Sequence, residues 1–311
     1  MSFEIEEFTF ESSNKLNKIY GKMYIPIDVK LKGIVQICHG MCEYIDKYIN
    51  FAKFLTSNGY IVCGHDQIGH GMSINSDDNL GYFAPDNGYK YLIEDAKKVT
   101  DIVTEKFPNL PVFLFGHSMG SFISRCYIAK YGETLSGVIL CGTIGPQPLA
   151  RAGIKLANLM SERKGAHYRS KQLYNIALDF ANLKFLPATT RFDWICSDKD
   201  EVLRHVADKK CNFLFTVSGF KDLFNLVSLC NSPKVIKTIP KDLPIFFISG
   251  SLDPIGENSL GVKRAVKLYK DAGLNEVKCK IYPEDRHELI NEKNKKEVYE
   301  DILHWIEKVS K

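Results

Sequence analysis

The chain has 311 residues, 45% of them apolar and 25% charged, with a formal net charge of +4. That length supports one large domain with an insertion, and charge spread so evenly excludes the concentrated basic face that nucleic-acid binding requires. Nine cysteines, scattered and without a CxxC pair, predict reduced and mostly buried thiols in a cytoplasmic protein, and no metal site or cofactor.

The acidic opening, residues 1–7, lacks an apolar h-region, so no signal peptide is expected, and no apolar run reaches the ~20 residues that span a bilayer. Gly33–Cys38 reads as a strand, bounded by His39-Gly40. Residues 48–57 space Ile49, Phe51, Ala52, Phe54 and Leu55 as on one helix face, and Asn58-Gly59 caps that helix. A strand at 60–64, a helix at 92–106 stopped before Pro108, and a wholly apolar strand at 112–115 follow. Met119–Tyr131 is a helix ended by Gly132, and 137–140 another buried strand. This alternation predicts a doubly wound α/β fold with a largely parallel sheet.

The alternation breaks from residue 143 to residue 239. Helical segments at 154–160, 173–182 and 213–229 appear there without strands. It resumes as strand 243–249, helix 262–271, strand 276–282 and helix 296–308. The expected organisation is therefore a core of 1–142 and 240–311, with 143–239 inserted over the C-terminal edge of the sheet.

Chemistry concentrates at Gly116-His117-Ser118-Met119-Gly120. A G-x-S-x-G sequence between a buried strand and a helix is a nucleophile elbow. The flanking glycines relieve crowding in a strained turn, and the helix N-terminus faces developing negative charge. A serine hydroxyl needs a base, and in this arrangement an acid and then a histidine follow it in the chain. Of His205, His287 and His304, the second lies on a loop after a strand, where such sites are built, and is assigned as base. His205 falls in the insertion, and His304 lies in the last helix beside Trp305. Asp253, just past the strand at 243–249, is assigned as the acid that orients the imidazole; Asp222, Asp242 and Asp285 are its rivals. The oxyanion donors expected are the backbone amides of Met119, directly after the nucleophile, and Met41, in the loop after an early strand.

His39-Gly40-Met41-Cys42-Glu43-Tyr44, with Lys47-Tyr48 after it, is similar to the H-G-x-G-E-H…R-Y motif of the monoacylglycerol lipase and lysophospholipase group of α/β hydrolases. Residues 66–73 resemble that group's D-x-x-G-H-G-x-S, residues 116–120 its G-H-S-M-G, and residues 249–254 and 285–288 its acid and histidine motifs. The likeness covers nearly the whole chain. It implies an α/β-hydrolase fold, an inserted helical lid, and ester cleavage on small acyl substrates. Asp66 and His70 are implied to be loop supports. Cys42, Tyr44 and Lys47 depart from the group's glycine, histidine and arginine. Apolar residues of the insertion, including Leu156, Leu159, Met160, Phe213, Phe215, Phe220, Phe224 and Leu226, are candidates either for an acyl tunnel or for packing.

Six basic residues and one acid lie between Arg151 and Lys171, which suits a solvated face or a transient contact with an anionic membrane surface. Two other functions compete. An aminopeptidase would need carboxylates such as Asp179, Asp193 and Asp222 to converge on a substrate amine. A non-catalytic binding protein on a hydrolase scaffold would have no use for a complete triad.

Overall fold

The computed structural model describes residues 3–310. Eight strands occur in these residues: β1 (Phe3–Glu11), β2 (Lys18–Pro26), β3 (Gly33–Cys38), β4 (Tyr60–His65), β5 (Val112–His117), β6 (Gly137–Cys141), β7 (Ile245–Gly250) and β8 (Val277–Tyr282). They form one sheet in the order β1-β2-β4-β3-β5-β6-β7-β8. Pairing is parallel from β4 through to β8, while β1–β2 and β2–β4 are antiparallel.

Every residue of β3 to β7 is buried. Such strands need helices on both faces, since no polar row is left to meet water. On one face pack α1 (Ile49–Ser57) and α10 (Lys295–Val309), with Phe51, Leu55, Ile302 and Trp305 against Val35, Phe113 and Phe115. On the other lie α2 (Gly88–Lys106), α3 (Met119–Tyr131) and α9 (Leu260–Asp271). This is the doubly wound α/β architecture expected, with β5 near the middle of the sheet.

Between β6 and β7 run five helices and no strand: α4 (Leu149–Lys164), α5 (Lys171–Leu178), α6 (Lys199–Ala207), α7 (Val217–Cys230) and α8 (Pro233–Ile236). Helix α7 starts at Val217, later than the apolar run from Phe213 predicts. Thr216 caps it there, its Oγ1 accepting from Gly219 N (3.1 Å), which leaves 213–216 outside the helix. Ser170 caps α5 in the same way (3.3 Å).

The start of this segment and the end of α7 meet at one side chain. Arg125 on α3 is wholly buried, and its five N–H groups all find acceptors. Nε donates to Tyr269 Oη (2.9 Å), Nη1 to Ile144 O (2.7 Å) and Thr143 Oγ1 (3.3 Å), and Nη2 to Cys230 O (2.8 Å) and Asn231 Oδ1 (2.8 Å). None of these acceptors is a carboxylate. The negative C-terminal end of α7 and the Tyr269 ring, 5.2 Å away, stabilise the charge instead.

The strands β1 and β2 were not predicted. Phe3 and Ile5 alternate with Phe8 and Phe10 in a different phase, so the period of two slips midway. No helix among the described residues is long and apolar enough to cross a membrane.

Candidate active site

Ser118 sits between β5 and α3 with φ 50° and ψ −121°, a conformation L-residues rarely adopt. Its neighbours explain how the turn is tolerated. A Cβ on Gly116 would come 2.6 Å from Gly120 O, and one on Gly120 would run into the carbonyls of Cys38 and His39. Only glycine fits at either place. Ser118 N donates to Cys141 O (2.9 Å), which fixes the elbow to the end of β6.

Asp253 and His287 follow β7 and β8. His287 Nδ1 donates to Asp253 Oδ1 (2.9 Å), which also accepts from Ile255 N (2.9 Å). Both side chains are buried. His287 Nε2 has no partner within the protein, and Ser118 and His287 line the same cavity. That leaves Nε2 free to accept a proton within the cavity that Ser118 also lines. The rivals lie elsewhere. Asp242 bonds Asn275 Nδ2 (2.6 Å) at the surface, and Asp222 is buried against the start of α2.

The loop 39–43 is held by a buried polar network. Glu43 Oε2 accepts from Gly40 N (2.6 Å), Tyr48 Oη (2.6 Å) and His117 Nδ1 (3.1 Å). His117 Nε2 faces the His287 carbonyl (3.3 Å). Both ring nitrogens thus meet acceptors, which an imidazolium satisfies. Burial alone would lower the His117 pKa, but the Glu43 charge and hydrogen bond override it and raise the pKa above the usual value. Burial likewise opposes ionisation of Glu43, yet His117, Lys47 and Tyr48 hold its carboxyl well below the usual range. The result fixes the Gly40–Met41 peptide next to Ser118. Met41 and Met119 both line the cavity, and Met119 is the first residue of α3, where an amide has no acceptor inside the helix.

Asp66 and His70 support this loop from below. Asp66 accepts from Ile45 N (2.8 Å) and Met72 N (2.7 Å), and His70 Nε2 accepts from Cys42 N (3.2 Å). Burial lowers the His70 pKa to about 4, so the ring is neutral and free to accept. Cys42 occupies a left-handed conformation (φ 57°), which accounts for glycine being usual there; Sγ contacts Phe213 O (3.4 Å).

The cavity measures about 570 Å³, a size that suits a small acyl ester. Of the apolar candidates in the insertion, Phe213 and Phe224 line it, whereas Phe215, Phe220 and Leu226 are core residues and Leu159 is exposed. Composition gave no hint of Phe192 and Trp194, which also line it, and His205, set aside as the base because it falls in the insertion, lines it too. The Trp194 ring lies 5.0 Å from that of His287. The carboxylates on the wall are Glu43, Glu257 and Glu288, and none of Asp179, Asp193 and Asp222 is among the lining residues. No group of three or more His, Cys, Asp or Glu residues with metal-binding geometry occurs among the described residues.

The model of the serine aminopeptidase S33 family matches residues 29–294. A monoglyceride lipase homolog of monkeypox virus is 30% identical over 299 residues, 93% of this chain and 94% of that protein. Human monoglyceride lipase is 27% identical over 276 residues, 88% of this chain and 81% of that one. A highly thermostable carboxyl esterase from Bacillus coagulans, in complex with glycerol, superposes with a TM-score of 0.93 at 32% identity, covering 100% of both chains. Each match runs almost end to end, so the likeness concerns the whole fold and not the serine elbow alone.

Proposed function

The chain belongs to the serine aminopeptidase S33 family, and on that premise we propose that Ser118, His287 and Asp253 form the catalytic triad of a monoacylglycerol lipase or lysophospholipase. The protein is a serine ester hydrolase. What carries the assignment of residues is the buried 2.9 Å contact between Asp253 and His287, which lines the same cavity as the strained Ser118.

Ser118 Oγ attacks the ester carbonyl while His287 Nε2 takes its proton. The Met41 and Met119 amides stabilise the oxyanion. The tetrahedral intermediate collapses, His287 returns the proton to the leaving alcohol, and an acyl group remains on Ser118. Water activated by the same histidine then releases the fatty acid. Asp253 holds the imidazole in its Nδ1–H tautomer and stabilises the imidazolium.

Residues 143–239 act as a lid in this reading. Leu149, Ile176 and Phe180 line the cavity yet are 68%, 43% and 44% exposed, and Leu183 and Leu186 beside them are also exposed. An apolar rim next to the basic α4 suits transient contact with a lipid surface, from which a monoacyl substrate enters. All nine cysteines are free, eight of them buried, which fits a cytoplasmic setting. The decisive experiment is Ser118→Ala. It abolishes p-nitrophenyl ester turnover and fluorophosphonate labelling while the fold persists. Undiminished turnover refutes the assignment.

A further inference from the structure

His205 lies on α6, in the inserted segment, and its role follows from its contacts. 

The contacts are these. The ring is 6% exposed and lines the cavity. Its Nδ1 lies 3.0 Å from Lys47 Nζ and 3.6 Å from Glu288 Oε1, and Nε2 has no partner within the protein. An ammonium group only donates, so Nδ1 of a neutral ring accepts from Lys47 and the ring proton sits on Nε2. If the ring is instead protonated, Nε2 carries a proton as well. Either way a buried N–H donor on the cavity wall lacks an acceptor, a state that buried polar groups rarely keep once a site is filled.

Glu288 follows His287 directly, and its amide donates to Ile195 O (2.7 Å), so His205 stands on the His287 side of the cavity. That side receives the leaving alcohol, because His287 must reach its oxygen to protonate it. Two carboxylates, Glu43 and Glu288, line the same region, each paired with a cation, Glu43 with His117 and Glu288 with Lys47, so neither offers a free charge to an ionic head group.

We propose that His205 Nε2–H donates to a free hydroxyl oxygen of the leaving alcohol, making His205 a binding residue for an uncharged polyol head group. This rests on the triad reading above. The experiment compares kcat/KM for a monoacylglycerol and for the propyl ester of the same acid. The wild type prefers the monoacylglycerol. His205→Phe lowers that preference roughly three- to tenfold, the worth of one hydrogen bond, and His205→Gln, which keeps a donor, restores part of it. The exposed neighbour Leu203→Ala leaves the preference as it is.

Equal losses on both substrates in folded His205→Phe overturn the proposal, as does a larger effect on lysophosphatidylcholine than on the monoacylglycerol. Should both His205 variants fail to fold, the wild type decides alone, since equal kcat/KM for the two esters also overturns it. Failure of the underlying reading looks different: the wild type then shows no fluorophosphonate labelling and turns over neither ester.

Discussion

Asp253→Asn removes one charge and almost no volume. In the structure Asp253 Oδ1 accepts from both His287 Nδ1 and Ile255 N, each at 2.9 Å. An asparagine that keeps its oxygen there preserves both hydrogen bonds but not the attraction for the imidazolium formed in the transition state. With the ring charge spread over an effective 3–4 Å, an effective dielectric of about 20 gives that attraction as roughly 4–6 kcal/mol. The corresponding rate loss is about 10³- to 10⁴-fold. An asparagine turned the other way does no better, because its NH₂ forces the proton onto His287 Nε2, which then cannot accept from Ser118. Steady-state hydrolysis of a p-nitrophenyl ester measures the loss, fluorophosphonate labelling falls with it, and circular dichroism checks the fold. A loss of less than tenfold would remove Asp253 from the triad.

Other consequences concern stability and surface. Asp222 is 1% exposed, and burial pushes its pKa up to about 7, with the Tyr89 amide, Lys221 and the Gly88 amide only partly offsetting it. The folded protein holds that proton between about pH 4 and pH 7, where the unfolded chain has released it, so stability falls as pH rises through this window. Asp222→Asn therefore matches the wild type near pH 4 and exceeds it at pH 8 by up to ~4 kcal/mol; urea unfolding at both pH values tests this, and a less stable variant at pH 8 contradicts it. Gly120→Ala forces a methyl group onto the Cys38 and His39 carbonyls, so the urea midpoint drops by the equivalent of roughly 1–3 kcal/mol and ester turnover falls; an unchanged midpoint would speak against the elbow packing described. Replacing exposed Leu183 and Leu186 by serine weakens sedimentation with liposomes. Equal binding of the wild type to neutral and anionic liposomes would count against a role for the basic face.

The elbow was legible because local sequence determines it: a strand without polar residues, glycines on either side of the serine, and a helix after it. That Asp253 and His287 meet was expected from their places just beyond strands. The network under the site was not. Glu43 and His117 are 74 residues apart, and His117 and His287 170 apart. Neither periodicity nor spacing reports such a meeting; only the register of β3, β5 and β6 brings these loops to one edge. The support roles of Asp66 and His70 came only from the family resemblance, because their bonds to Ile45 and Cys42 join residues 21 and 28 apart. Helix α6 escaped notice because its charged sequence, Lys199-Asp200-Glu201, masks the few apolar positions it buries.

The grip of Arg125 on Thr143, Ile144, Cys230 and Asn231 has an evolutionary consequence. One guanidinium ties the start of the segment to the end of α7, so the chain between these two points can change in length without moving the sheet. A segment attached in this way behaves as an exchangeable cassette. A different one, joined at the same two points, would present the same nucleophile to another class of ester.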